Sequence, residues 1–166
     1  MKLPFINADN IARELFPQNP EEHSYQAASI ADEVRNRLVE EGKTFCFETV
    51  FSHPSKVDFL AKAKAYNYEI ILVFIHLSSI DLNKARISQR IEEGGHFVPD
   101  DKVETRIPRT LENIKTAIQL VDQSYLLDNS DCNEPFKQVA VVKDHHIELK
   151  VQPVPEWAAF LLSDLN

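Results

Sequence analysis

Glycine is scarce in this chain of 166 residues, and the scarcity limits what the chain can bind. The three glycines are Gly42, Gly94 and Gly95, where average usage of about 7% would give about twelve. Neither G-x-x-x-x-G-K-[ST] nor G-x-G-x-x-G can be written with glycines at these positions, and both motifs bind phosphates through a glycine-rich backbone. The sequence therefore excludes a glycine-rich phosphate-binding loop within these residues.

Charge and cysteine content exclude further classes of protein. The net charge of -8, from 18 basic and 26 acidic residues, argues against a nucleic-acid or anionic membrane surface. Cys46 and Cys132 are too few for a disulfide framework or a zinc cage, and Cys46 lies in an apolar run where we expect a buried, reduced thiol. Met1–Asn10 is not a charged segment followed by a long apolar one, and no stretch reaches 18 apolar residues, so we expect neither export nor membrane insertion. We expect a cytoplasmic protein.

Strand and helix patterns alternate along the chain without a break in composition, which predicts one domain over residues 1–166. The β-branched run Tyr68–Leu77 predicts a strand covered on both faces. The alternation predicts an α/β fold, with a mainly parallel sheet and helices on both faces. The predicted strands are Leu3–Ile6, Thr44–Val50, Tyr68–Leu77, Tyr125–Asp128, Phe136–Val142 and Ile147–Val151, and the last two form a C-terminal hairpin across Asp144 and His145.

Capping residues, prolines and glycines set the predicted helix boundaries. The first helix takes Asp9 or Asn10 as its N-cap and ends before Pro17. The second covers about Glu21 to Glu41 and ends at Gly42. Its predicted apolar stripe is Ala27, Ile30, Ala31, Val34 and Leu38. Further helices are predicted over Pro54–Tyr66, from Ser79 to Gly94-Gly95, from Pro99 through Ile118 with a stripe of Val103, Ile107, Leu111, Ile114 and Ile118, and over Pro155–Leu165.

Polar residues directly after predicted strands are the first candidates for a site, because ligands of open parallel sheets bind outside the carboxyl ends of the strands. Asp9 has a second interpretation as a helix cap, and Asn7 could stabilise the same turn. A carboxylate at Glu48, after a buried apolar strand, would need a cation, a metal or a ligand to offset its desolvation. The candidates are Asn7, Asp9, Glu48, Thr49, His76 and Ser78.

Arginines are concentrated in one later window, together with one histidine. One interpretation is a pair of solvated helices with ordinary salt bridges, since acidic residues are interspersed. The other is a polyphosphate clamp, because guanidinium groups offer planar, bidentate donors that stay charged. Gly94-Gly95 would let the segment move as a lid. The residues concerned are Arg86, Arg90, His96, Arg106 and Arg109.

Four segments together resemble the zeta toxin family of P-loop kinases, in the same order and with similar spacing. The lid sequence GGHFVP, followed by R-x-x-R-x-L-x-N, is similar to the signature of the chromosomal branch of that family. The segments are FINADNIARELFP (Phe5–Pro17), CFETVFSHPSK (Cys46–Lys56), RISQRIEEGGHFVPDDKVETRIPRTLENI (Arg86–Ile114) and LLDNS (Leu126–Ser130).

The resemblance implies a P-loop-kinase-like fold and an ATP- and Mg²⁺-dependent phosphorylation of a sugar hydroxyl, as on UDP-N-acetylglucosamine. It implies that Asp9 is the general base and that Arg90 neutralises the transferring phosphoryl group. Asn7, Glu48 and Thr49 would bind the substrate. An antitoxin protein is the implied partner, and neither nucleic acid nor membrane is expected.

Two departures from the family affect these expectations. His96 stands where better-known toxins place a second lid arginine, so either Arg106 or Arg109 supplies that charge or the site differs from that of the family. The strand and G-x-x-x-x-G-K-[ST] loop that open family members are missing, so we expect a truncated start, an inactive chain and weak ATP binding. The alternative is a non-catalytic remnant that binds a nucleotide sugar or a protein.

The resemblance also implies that the missing strand is central in the sheet, between Thr44–Val50 and Tyr68–Leu77. Its absence would leave unpaired backbone groups that cost about 1–3 kcal/mol each when buried. The two strands must therefore pair directly, or the chain must borrow a strand. We expect marginal stability and self-association.

Overall fold

The computed structural model describes residues 3–77 and 100–165 and divides the chain into two compact units. Of the described residues, unit 1 holds residues 3–50, and unit 2 holds residues 51–77 and 100–165. The architecture is α/β, as predicted. The expectation of one domain stays a prediction. Within the described ranges, no helix is both long and apolar enough to cross a membrane.

Unit 1 contains two short parallel strands and two helices. Strand β1 (Phe5–Ile6) pairs with β2 (Cys46–Phe47), so that Phe5 lies opposite Cys46 and Ile6 opposite Phe47. Cys46 is exposed, so the expected buried thiol is wrong: the strand has only two residues, and this side chain lies on its open face. The elements are β1 (Phe5–Ile6), α1 (Ala8–Leu15), α2 (Ser24–Glu40) and β2 (Cys46–Phe47).

Helix α2 ends at the predicted glycine. Gly42 has a φ of +66°, which a residue without Cβ adopts at little cost. The Gly42 N–H donates to the Val39 carbonyl and the Lys43 N–H to the Leu38 carbonyl, at 3.1 and 2.9 Å. These two bonds form a Schellman motif and confirm the predicted end of the helix.

Unit 2 is built on a four-stranded mixed sheet. Its strands lie in the order β3 (Ile71–His76), β4 (Gln123–Asp128), β5 (Lys137–Lys143) and β6 (His146–Leu149). Strands β3 and β4 are parallel, and the two later pairs are antiparallel. Helix α4 (Asp100–Leu120) contributes buried Ile114, Ala117 and Ile118 to the core, and Val121, directly after the helix, is also buried. The elements are α3 (Ser55–Ala65), β3 (Ile71–His76), α4 (Asp100–Leu120), β4 (Gln123–Asp128), β5 (Lys137–Lys143), β6 (His146–Leu149), α5 (Glu156–Leu162) and a 3₁₀ turn (Ser163–Leu165).

The predicted hairpin is confirmed. Lys143 lies opposite His146, and the two residues between them, Asp144 and His145, have φ values of 50° and 64°. Positive φ at both central residues is the type I′ geometry, whose twist suits a two-residue hairpin.

Strand β3 departs from its prediction because it is not covered on both faces. Ile71, Val73 and Ile75 are 56%, 53% and 46% exposed, and they alternate with half-buried residues. A continuous apolar run is typical of a doubly covered strand, but the pattern does not reveal whether the second layer is present.

Two side chains fix the loops that lead into the strands and helices of unit 2. Asp122 accepts hydrogen bonds from Lys64 at 2.6 Å and from the Ile70 N–H at 2.7 Å, so it joins the end of α3 to the start of β3. Asn113 donates to the Phe51 carbonyl at 3.0 Å. Phe51 is buried with a φ of 62°, an uncommon conformation for a bulky residue that the surrounding structure must hold in place.

Candidate functional site

Asn7 and Glu48 meet at the carboxyl ends of the parallel pair β1 and β2. Each directly follows its strand, and Asn7 Nδ2 donates to Glu48 Oε2 at 3.1 Å. The Glu48 N–H also donates to the Ile6 carbonyl at 3.1 Å, which extends the strand pairing by one step. The two residues meet because neighbouring parallel strands end at the same edge of the sheet.

Asn7 is also the N-cap of α1. Its backbone is extended, and Oδ1 accepts from the Asn10 N–H at 3.0 Å. The predicted N-cap at Asp9 or Asn10 is therefore wrong, because the chain enters the helix directly after β1 and both residues are already helical. Both polar atoms of the Asn7 side chain are thus engaged within the protein.

Asp9 lies in the first turn of α1 and is half-buried. Its carboxylate therefore stands near the positive end of the helix. Glu48 is exposed, which corrects the expectation of a buried carboxylate: β2 ends one residue earlier and leaves the side chain at the surface. Thr49 is half-buried beside it. The functional roles of the three residues stay predictions.

Arg35 is a residue that the sequence interpretation missed. It is only 3% exposed, forms an ion pair with Asp32, and its guanidinium lies 4.9 Å from the centre of the Phe47 ring. Burial lowers the pKa of Arg35 from its ordinary value. It supports the last residue of β2, directly before Glu48.

A sequence signal for Arg35 was available. The buried residues of α2 recur every four positions, at Ala27, Ala31, Arg35 and Val39. Ala27 and Ala31 of the predicted apolar stripe are buried, whereas Ile30, Val34 and Leu38 are half-buried. Arg35 lies four positions after Ala31 and eight after Ala27, so the helical spacing places it on the same buried face as these two small residues.

A second group of polar residues lies at the carboxyl ends of β3 and β4 in unit 2. His76 is opposite Asp128, and its ring stacks on Trp157 of α5 with centroids 4.4 Å apart. Asp128 Oδ1 accepts from the Ser130 N–H at 2.9 Å, and buried Asn129 accepts from the Phe136 N–H at 3.2 Å. Burial lowers the pKa of His76, and the charge of Asp128 offsets part of that effect.

The lowered pKa of His76 predicts a loss of stability in acid. Below pH 6.5 the unfolded chain binds a proton at this position before the folded chain does, so the free energy of unfolding should fall as pH decreases. His76→Phe keeps an aromatic ring against Trp157 and removes this titration. We expect a smaller difference in urea midpoint between pH 7 and pH 5 than in wild type, followed by the fluorescence of Trp157.

Asp128→Asn is the matched variant for this measurement. It removes the charge that raises the pKa of His76, so the loss of stability should grow. The interpretation fails if wild type and His76→Phe change equally between the two pH values, or if Asp128→Asn reduces the loss.

The predicted arginine window is described only in part. Arg106 is half-buried and Arg109 is exposed, both on α4. Arg86, Arg90 and His96 lie outside the described residues, as do Ser78, the predicted lid and the predicted helix from Ser79. The phosphate clamp stays a prediction. Within residues 3–77 and 100–165, no group of three or more His, Cys, Asp or Glu side chains could hold a metal ion.

The chain has a relative among known proteins. No family model and no solved structure matches the chain. The chain is similar to an uncharacterized protein of Haemophilus influenzae, with 30% identity over 101 residues. The matched region is 61% of this chain and 72% of the relative.

Proposed function

The chain belongs to the same family as the Haemophilus influenzae protein, and we propose that it supplies the acceptor site of a small-molecule kinase of the zeta-toxin type. One observation carries the proposal. The hydrogen bond between Asn7 and Glu48 brings an exposed carboxylate to the carboxyl ends of two parallel strands, directly before the helix turn that carries Asp9. P-loop-kinase-like topology, with a mainly parallel sheet, is part of this proposal.

Glu48 is the residue that would bind the acceptor. An ionised carboxylate accepts hydrogen bonds from sugar hydroxyls, and such charge-assisted bonds are about twice as strong as neutral ones. Asn7 uses both of its polar atoms within the protein, so its role is to orient Glu48. Thr49 follows Glu48 and would contact the same substrate.

Asp9 is the residue that would take the proton from the acceptor hydroxyl. A positioned carboxylate acting as a general base contributes about 100- to 10,000-fold to the rate of such a step. The start of α1, close to Asn7, is a suitable position because acceptor and base would then be on neighbouring segments of unit 1.

ATP and Mg²⁺ do not fit the described residues. The lysine and glycine-rich backbone that hold the β- and γ-phosphates of ATP are absent from these 166 residues, and the described ranges contain no cluster of metal-binding side chains. The proposal therefore assigns acceptor binding and proton transfer to this chain. Binding of a nucleotide sugar without phosphoryl transfer is the alternative that the missing loop favours.

Titration calorimetry of this chain tests the proposal. UDP-N-acetylglucosamine should bind, whereas Mg-ATP should bind weakly or not at all. Glu48→Gln preserves shape and removes the charge, so affinity for the nucleotide sugar should fall by about 10- to 100-fold, the equivalent of a lost charged hydrogen bond.

Glu33→Gln is the matched control, because Glu33 is an exposed glutamate of α2 in the same unit. It should bind like wild type. Absence of nucleotide-sugar binding, or equal losses in the two variants, would reject the acceptor site. Micromolar binding of Mg-ATP would contradict the inference that these residues do not hold the phosphates of ATP.

A further inference from the structure

We propose that Arg35 is a positioning residue for Glu48. Its guanidinium holds the ring of Phe47, the last residue of β2, and so fixes the backbone from which the Glu48 carboxylate projects. All three residues belong to unit 1. The functional part of the inference rests on the proposed acceptor site, whereas its structural part is testable without any ligand.

The burial of Arg35 is not explained by stability alone. The residue is 3% exposed and lies on α2 in one row with buried Ala31 and Val39, where an apolar side chain would avoid the desolvation of a permanent charge. Its ion pair with Asp32 is not a sufficient reason for the charge, because replacing a buried ion pair by apolar residues is often neutral or stabilising. A guanidinium at this position therefore indicates a specific contact.

The ring of Phe47 provides that contact. The Cζ atom of Arg35 lies over the ring, 4.9 Å from its centroid, within the roughly 6 Å over which an aromatic ring attracts a cation. Arginine suits this geometry because its planar group stacks on aromatic faces, whereas the ammonium of lysine is a compact point charge. The contact is strengthened because Arg35 is buried and Phe47 is half-buried, since desolvation increases the attraction.

Strand β2 needs such support because it is short. It has two residues, and on either side of it the Cys46 N–H donates to the Pro4 carbonyl at 2.9 Å and the Glu48 N–H to the Ile6 carbonyl at 3.1 Å. Isolated pairs of short strands are marginally stable in water. Side-chain contacts with α2 therefore help to determine where β2 lies and where Glu48 begins.

The contact reaches the candidate site through one peptide unit. Glu48 directly follows Phe47, is exposed, and accepts from Asn7 Nδ2 at 3.1 Å. Successive side chains of an extended chain point to opposite faces, so Arg35 acts on Glu48 through Phe47 and not as its ion-pair partner. Loss of the guanidinium should release the Phe47 ring and weaken the hydrogen bond between Asn7 and Glu48.

NMR spectroscopy of the ligand-free protein tests this link through the side-chain amide of Asn7. Arg35→Met keeps a long side chain in the buried row but removes the guanidinium. The Asn7 amide signal should therefore move toward its position in Glu48→Ala, which lacks the acceptor. Arg35→Lys keeps the charge without the planar group and should give an intermediate shift.

Val39→Ala is the matched control, because Val39 is 1% exposed in the same row of α2. This truncation should lower the melting temperature and leave the Asn7 signal in place. An unchanged signal in Arg35→Met, or an equal shift in Val39→Ala, would overturn the proposal. If Arg35→Met does not fold, an unchanged signal in Arg35→Lys has the same meaning.

A double-mutant cycle with UDP-N-acetylglucosamine tests the functional part. In titration calorimetry, Arg35→Met should weaken binding about 10-fold in the wild-type background. In the Glu48→Gln background the loss should be less than about 2-fold, since the carboxylate that Arg35 positions is already absent. Equal losses in both backgrounds would overturn the positioning role, because Arg35 would then act independently of Glu48. Absence of binding by wild type would reject the acceptor site, and the ligand-free Asn7 signal would still decide the role of Arg35.

Discussion

In a version of the protein that carries the family's phosphate-binding loop, Asp9→Asn should slow phosphate transfer by about 100-fold. Asparagine has the shape of aspartate but cannot accept the hydroxyl proton, so the rate should lose the contribution of a general base. Turnover should fall while the KM for the acceptor changes little, because binding is assigned to Glu48. Steady-state kinetics with UDP-N-acetylglucosamine gives both quantities.

The stability of the same variant separates a catalytic role from a role in the helix. A carboxylate in the first turn of a helix contributes about 0.3–1 kcal/mol, so the melting temperature should fall only slightly. Glu14→Gln, an exposed change later in α1, should leave turnover unchanged. Near-wild-type turnover of Asp9→Asn would assign Asp9 to the helix alone.

Backbone preferences of a few neighbouring residues explain the parts of the fold that the sequence predicted correctly. Gly42 ends α2 because its backbone can adopt a positive φ, and Asp144-His145 forms a two-residue turn between two apolar strands. Each of these features depends on a few neighbouring residues. The exposed face of β3 could not be predicted in the same way, because coverage of a strand depends on elements distant in sequence.

The candidate site was also predicted only in part from the sequence. Asn7 and Glu48 lie 41 positions apart and still meet, because parallel strands bring their carboxyl ends together. The prediction failed in the assignment of the cap, since Asp9, Asn10 and Asn7 are all suitable N-cap residues and only the end of β1 decides among them. The burial of Arg35 was not predicted, since arginine is almost never fully buried unless it is paired.

Replacing Leu126 by alanine should cost about 3 kcal/mol of unfolding free energy, whereas the same change at Leu127 should cost about 1 kcal/mol. Leu126 is completely buried on β4, between Phe74 of β3 and Ala140 of β5, while Leu127 is half-buried. Removing a fully buried leucine leaves a cavity in addition to the lost transfer energy.

Both leucines belong to the LLDNS segment, so the family resemblance does not tell which of them contributes more to stability. Their burial does, because Leu126 is buried and Leu127 is half-buried. A register shift lies between them, where β5 pairs Ala140 with Leu126 and Gln138 with Leu127. Urea unfolding measures both losses, and Trp157, the single tryptophan, reports on unit 2. Equal losses at the two positions would mean that β4 has no preferred buried face, because successive side chains of a strand lie on opposite faces and only burial of one face distinguishes adjacent leucines.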